Sequence, residues 1–348
     1  MKRHEILKKV GSMQQIAAVR PITYEEGQAK GLKAFDIKNG NLRLQVLADK
    51  CLDIAELSYK GVNLSFLAKP GITGNLDGEM FGGDSLRNQM AGFLFTCGLD
   101  NTCGACAVDG KTYPTHGRIR NIPAEHVSAD ASWEYDSYVM KVSGKMRDAS
   151  LLGNNMTLKR SIETAYGEKT IKITDIIENV SYKDQPMMIL YHFNMGYPLL
   201  DEFAQVLLPT KEVTPVDEKA KVGLAQWDVM EAPSEAEDAK VFLHDLIADE
   251  AGNTRVCLVN EALELGISIS FNKKYLPRFM QWKTIGAGDY TMGLEPTNGG
   301  IRGRAGEGEN IHKIAPFEKE IIEIKVTILD GKEELAKEKA IIEEMKKA

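Results

Sequence analysis

Between Ile322 and Ile328 the chain alternates strictly. Ile322, Ile324, Val326 and Ile328 are apolar, and Glu323, Lys325 and Thr327 stand between them. A period of two places all the apolar side chains on one face of an extended strand, an arrangement a helix cannot use. The alternation recurs at Leu42, Leu44 and Val46, at Ile171 and Ile173, and at Ile267, Ile269 and Phe271. Turn signals separate the runs, at Lys38-Asn39-Gly40, Tyr59-Lys60-Gly61, Asp109-Gly110 and Tyr166-Gly167-Glu168. Many short strands joined by tight turns predict an all-β chain of mostly antiparallel sheets packed as a sandwich. The long helices that a βαβ fold needs between its strands are not predicted.

Helices are expected only at the two ends. Ile6, Leu7 and Val10 have helical spacing within Glu5 to Met13. At the other end, Leu335, Ile342 and Met345 line one stripe of a helix from Glu333 to Lys347. Glu333 with Lys337 and Glu343 with Lys347 are spaced there as i,i+4 ion pairs. With no repeat and no linker in sight, the chain divides into a lead segment (1–30), one large β unit (31–331) and a helix (332–348) packed on or beside it. The stretch 231–238, rich in acids, is expected to be a solvated loop.

The formal charge of −7, from 43 basic and 50 acidic residues, argues against nucleic acid as the main partner. No apolar run is long enough for a membrane helix, so no membrane association is expected. The opening MKRHEILKKVGSM carries charge without an apolar core, so no secretory signal is expected either. Five cysteines, an odd number, do not suggest a disulfide framework. Cytoplasmic location is the expectation, and self-association into a homo-oligomer is left open.

Several stretches could carry chemistry. In Met187 to Glu202, MMILYHFNMGYPLLDE, His192 lies inside an apolar run that breaks at Gly196 and Pro198. In YTMGLEPTN, Glu295 ends another apolar run just before a proline. A histidine and a glutamate brought together from two strand ends form a general acid and base. Taken alone, His192 is better explained as a half-buried histidine satisfied by a backbone carbonyl. His116, Gly117 and Arg118 follow the Asp109-Gly110 turn, where glycine lets a ligand approach the backbone closely. An ordinary His-Gly turn is the alternative. Arg87 could reach a ligand hydroxyl or make a surface ion pair. Gln281-Trp282-Lys283, at a predicted strand end, suits a sugar: the indole stacks on its C–H face while Gln281 and Lys283 bond hydroxyls. A tryptophan that merely closes the core would read the same.

Two further features carry less. Cys103 and Cys106 form a CxxC, but no second ligand pair supports a metal site and no helix follows to activate a thiol. The run Asn298 to Gly308, NGGIRGRAGEG, lacks the GK[ST] of a phosphate loop. It is expected to be a flexible loop from which Arg302 or Arg304 touches substrate. His4, His126, His244 and His312 sit in charged or loop contexts and are assigned no role.

Taken together, YHFNMGYPLLDE, HGRIRNIPA, QWK and LEPTN…GR, in that set and over Gly31 to Gly331, resemble the aldose 1-epimerase-like (DUF4432) proteins of the galactose mutarotase-like superfamily. The resemblance implies a β-supersandwich with a sugar cleft on one face. It implies mutarotation, the interconversion of α and β anomers of a small-molecule carbohydrate, with no cofactor and no metal. By the same resemblance His192 is the general acid on the ring oxygen, Glu295 the base on the anomeric hydroxyl, and His116 a further ring-oxygen contact. Arg87, Arg118, Asn194, Gln281, Trp282, Lys283, Asn298 and Arg304 are the expected substrate contacts. The aspartate that mutarotases place on sugar hydroxyls has no clear counterpart, with Asp228 and Asp245 the candidates. YHFNMGYP stands where galactose mutarotases carry an HxYFNL-like run. A sugar-binding protein without turnover, or another sugar-active enzyme such as a lyase, hydrolase or isomerase, are the competing functions. An ionised Glu295 would be expected to raise the His192 pKa and keep the imidazole protonated.

Overall fold

The computed structural model describes residues 2–74, 87, 88, 90, 92–236 and 239–347. Its period-two segments are strands, and every pairing between them is antiparallel. Three sheets dominate. A five-stranded sheet runs Ala17–Thr23, Lys33–Asn39, Leu42–Leu47, Asp53–Tyr59 and Val62–Asn63 in spatial order. An eight-stranded sheet runs Ala204–Leu207, Asn253–Asn260, Leu265–Asn272, Lys319–Asp330, Thr170–Asn179, Asn155–Ala165, Ser137–Ala149 and Glu125–Glu134.

The third sheet carries the candidate site, and its strands are labelled here in chain order. They are β1 (Leu94–Leu99), β2 (Met188–Met195), β3 (Thr210–Pro215), β4 (Ala239–Leu246), β5 (Arg278–Gly286) and β6 (Asp289–Thr297). Across the sheet their order is β3-β4-β5-β6-β2-β1. Apolar faces of all three sheets meet in one core that includes Leu44, Leu57, Leu158, Ile173, Phe193, Ile269, Leu294 and Ile324. The first thirty residues, expected to be a lead segment, contribute Ala17–Thr23 to the five-stranded sheet.

A buried ionic hub fastens the three sheets together behind β1 and β2. Arg160, from strand Asn155–Ala165, is fully buried and binds both carboxylate oxygens of Asp175, at 2.9 and 2.6 Å. Its Nη1 also donates to Asp53 of the five-stranded sheet at 2.8 Å and to Thr96 on β1 at 2.9 Å. Tyr191 on β2, next to His192, donates its hydroxyl to Asp175 at 2.8 Å. A buried guanidinium with every partner in place is a rigid register mark between layers.

The helices depart in detail from expectation. The first is only Arg3–Leu7, and Val10 packs on the core from the segment that follows. The last, Lys332–Met345, seats Leu335 and Ile342 against Leu207, Cys257, Val259 and Leu329 on the eight-stranded sheet. Its Glu343 pairs with Lys346, one residue short of the expected Lys347, on an exposed face where such pairs contribute little. The acidic stretch is partly tied down: Glu231 pairs with buried Lys283, and its carbonyl accepts from Tyr290. Residues 237 and 238 lie outside the described residues. No helix is long and apolar enough to cross a membrane among the described residues.

Candidate active site

Strands β2 and β6 pair with Phe193 opposite Leu294 and Leu190 opposite Thr297, which sets His192 directly across from Glu295. His192 lies opposite Phe95 on β1. Because β2 is buried on both faces, burial does not alternate along it, and only the chemistry distinguishes its sides. Tyr191 and Phe193 turn into the core, and His192 and Asn194 take the other face.

On that face His192 Nε2 and Glu295 Oε1 are 3.1 Å apart, in residues only 3% and 4% exposed. The His116 ring packs edge-on to His192 with centroids 5.8 Å apart, and the Trp282 indole packs likewise at 5.4 Å. Four buried atoms of this group have no aligned hydrogen-bond partner among the described residues: Glu295 Oε1, His192 Nδ1, His116 Nδ1 and Asn194 Oδ1. The 3.1 Å approach of His192 to Glu295 is thus a contact without hydrogen-bond alignment. Buried polar atoms are nearly always paired in native proteins, so the gathering of four such atoms on one face singles this cluster out as the candidate site.

Burial decides the charge states. It pushes the Glu295 carboxyl up to about 8 and the His192 imidazole down to about 3. Asn194, beside the imidazole, opposes part of the fall. His116 is held well below its ordinary value by burial first, then by His192 and Arg120. Part of its surface still reaches solvent, although Nδ1 is enclosed. This corrects the expectation of an imidazolium–carboxylate pair: desolvation outweighs the attraction of two charges. The pair still holds one proton, which rests on Glu295 at neutral pH.

Gly293 makes the pair possible. A Cβ there would lie 2.8 Å from His192 Cε1 and 2.9 Å from Glu295 Oε1. Both obstructions are side-chain ends, so Gly293→Ala is expected to fold and to force the two groups apart. The check is thermal unfolding near the wild-type midpoint together with loss of the His192–Glu295 contact, read from the His192 imidazole shifts by NMR. Sequence reasoning passed over this glycine, although glycine inside a strand is a signal of close approach.

Other expected contacts are engaged elsewhere. QWK lies within β5, not at its end, and alternation turns Gln281 and Lys283 away from Trp282. Gln281 Oε1 meets His244 Nε2 at 3.0 Å, which also makes His244 a buried strand residue and no loop histidine. Lys283 donates to the carbonyls of Gln226 and Val229, both at 2.6 Å. Asn298 bonds the backbone of β2, accepting from Ile189 at 2.8 Å and donating to Met187 at 3.0 Å.

Arg118 pairs with Asp100, and Arg304 lies 4.5 Å over the Tyr113 ring and donates to the Asp100 carbonyl. These two arginines line a cavity of about 880 Å³ beyond the end of β1. The run expected to be a flexible loop contains a helical turn, Gly303–Glu307. Arg87 is exposed, beside buried Asn88. Of the candidate aspartates, Asp245 pairs with Lys273 at 3.5 Å and Asp228 acts on Lys283. Cys103 is buried, with Sγ 3.7 Å from Met280 Sδ, and among the described residues no group of His, Cys, Asp and Glu has the makings of a metal site.

The fold and family follow from comparison. The chain superposes on a Klebsiella pneumoniae structure named a "putative aldose 1-epimerase" with a TM-score of 0.86 at 21% identity, covering 96% of this chain and 90% of that one. A galactose mutarotase-like protein of Clostridium acetobutylicum gives 0.62 at 15% identity, with 91% and 99% covered. Galactose 1-epimerase of Lactobacillus acidophilus gives 0.55 at 13% identity, with 90% and 99% covered. At such identities the likeness establishes the galactose mutarotase-like fold. No curated protein matches the chain. The family described as a domain of unknown function, DUF4432, matches residues 29–328, and the chain belongs to that family.

Proposed function

We propose that the protein is an aldose 1-epimerase-like isomerase that interconverts the anomers of a sugar by acid–base ring opening. The observation that carries this reading is the cluster of orphaned polar atoms around the His192–Glu295 contact. A bound hemiacetal supplies what those atoms lack, a ring oxygen to accept and an anomeric hydroxyl to donate. Trp282 offers its indole to the apolar side of the ring.

Ring opening needs one proton delivered to the ring oxygen and one removed from the anomeric hydroxyl. The pair holds one proton and one vacant basic site, so it can do both at once, and reclosure on the other face returns it to its starting state. With the proton resting on Glu295, the carboxylic acid is the donor and neutral His192 the acceptor in the first half of the cycle. Transfer within the pair gives the reverse assignment, the one implied by the sequence resemblance, with the same proton inventory.

Exchange should therefore hold steady through neutral pH and decline as pH rises past about 8, where Glu295 loses its proton. A pH–rate profile of anomer exchange checks this, and a rate still rising at pH 9 to 10 contradicts it. A two-carboxylate glycosidase is disfavoured, because burial alone raises Glu295 and no neighbouring carboxylate among the described residues contributes.

A further inference from the structure

The residue after next in the His-Gly-Arg-Ile-Arg stretch has a role that the acid–base pair does not use. We propose that Arg120 is a positioning residue that locks the His116 turn against the site, its guanidinium bridging the carbonyls on either side of the histidine. This rests on the reading of His116 as a sugar contact.

His116 stands in the left-handed region with φ of 60°, followed by Gly117 at 70°. A β-carbon at Gly117 would lie 2.2 Å from the Gly98 carbonyl oxygen, so the turn is pressed against β1. A histidine in this conformation is strained and persists only where its surroundings over-determine it. The His116 backbone is tied at both ends, donating to the Cys103 carbonyl at 2.8 Å and accepting from Gly98 N at 3.0 Å. The carbonyls of Thr115 and Gly117 remain, and Arg120 Nη1 donates to both, the latter at 2.8 Å.

Arg120 is 3% exposed. Its guanidinium lies 5.7 Å over the Phe95 ring, and Phe95 is edge-on to His116 at 6.0 Å. The arginine therefore holds the histidine from two sides, through the backbone and through the intervening ring. Its charge also favours the neutral imidazole. Lysine keeps the charge but cannot reproduce a planar fork stacked on an aromatic ring.

Histidine-detected NMR on the full chain tests this without any ligand. In Arg120→Met the His116 titration midpoint should rise as the neighbouring cation disappears. In Arg120→Lys the midpoint should stay low while the His116–Phe95 cross-relaxation contacts weaken or vanish. His244, on the opposite face of the sheet, is the control and should be unmoved in both. Wild-type values for midpoint and contacts in a folded Arg120→Met overturn the proposal, as does a His244 that moves together with His116, which would mean general loosening. If Arg120→Met does not fold, unchanged His116–Phe95 contacts in Arg120→Lys overturn it alone. Absence of sugar turnover in the wild type would sink the proposed function and leave these His116 measurements standing.

Discussion

Replacing Glu295 with glutamine is expected to cut catalysed anomer exchange by roughly 10² to 10⁴ while leaving the fold intact. The amide has the shape of the protonated carboxyl that stands there at neutral pH, so packing is preserved, but it cannot give up or carry the proton. The variant should also differ in its stability against pH, and the sign follows from the direction of the shift. Glu295 binds its proton more tightly folded than unfolded, so it favours the native state at low pH. That contribution fades as pH climbs from the ordinary glutamate range towards about 8. In Glu295→Gln this decline disappears, and the variant gains on the wild type over the same interval. His192 works the other way: held down to about 3, it weakens the native state as pH falls below the ordinary histidine value. Denaturant midpoints across pH 4 to 9 read both effects. Equal pH dependence in wild type and variant would contradict the buried, protonated Glu295.

Arg160→Met should lower stability by about 3–5 kcal/mol, a large part of what a domain possesses. The loss comes from what remains behind. Asp175 and Asp53 would both be buried without the cation that neutralises them, and Asp175 would keep only Tyr191 of its present partners in the hub. Since the hub spans strands of all three sheets, it should act on the site as well, because Tyr191 and Thr96 belong to the two strands that carry and flank His192. Urea unfolding monitored by tryptophan fluorescence reads the stability. A drop below 1 kcal/mol would mean the hub contributes little. Tyr191→Phe, which removes one hydroxyl and leaves the charges paired, should cost only about 1 kcal/mol.

The sheets were legible in the sequence wherever one strand face meets the core and the other meets solvent, as in Ile322 to Ile328. Strand β2 was harder, since it is buried on both sides and alternation in burial gives no clue to which face His192 takes. The His192–Glu295 meeting depends on register between strands far apart in sequence, and it was reached through resemblance and the chemistry of the two residue types. The misassigned contacts have physical causes. Alternation already places Gln281 and Lys283 opposite Trp282, and grouping the three by adjacency in sequence overlooked it. Asn298 came only from the resemblance, yet its bonds tie down the start of β2. The charge states were misjudged because proximity of opposite charges can be guessed from residue types, whereas the depth of burial that reverses the outcome cannot. Arg160 offered no signal at all: an arginine in an alternating strand reads as a surface residue until Asp53, Asp175 and Tyr191 are seen around it.

The most direct test of the account is saturation-transfer NMR of anomer exchange on the wild-type protein, run across a panel of free aldoses at neutral pH. The account predicts that at least one sugar exchanges faster with protein than without, and that His192→Ala removes the gain. Exchange at the spontaneous rate for every sugar, or a gain that survives in His192→Ala, would contradict it.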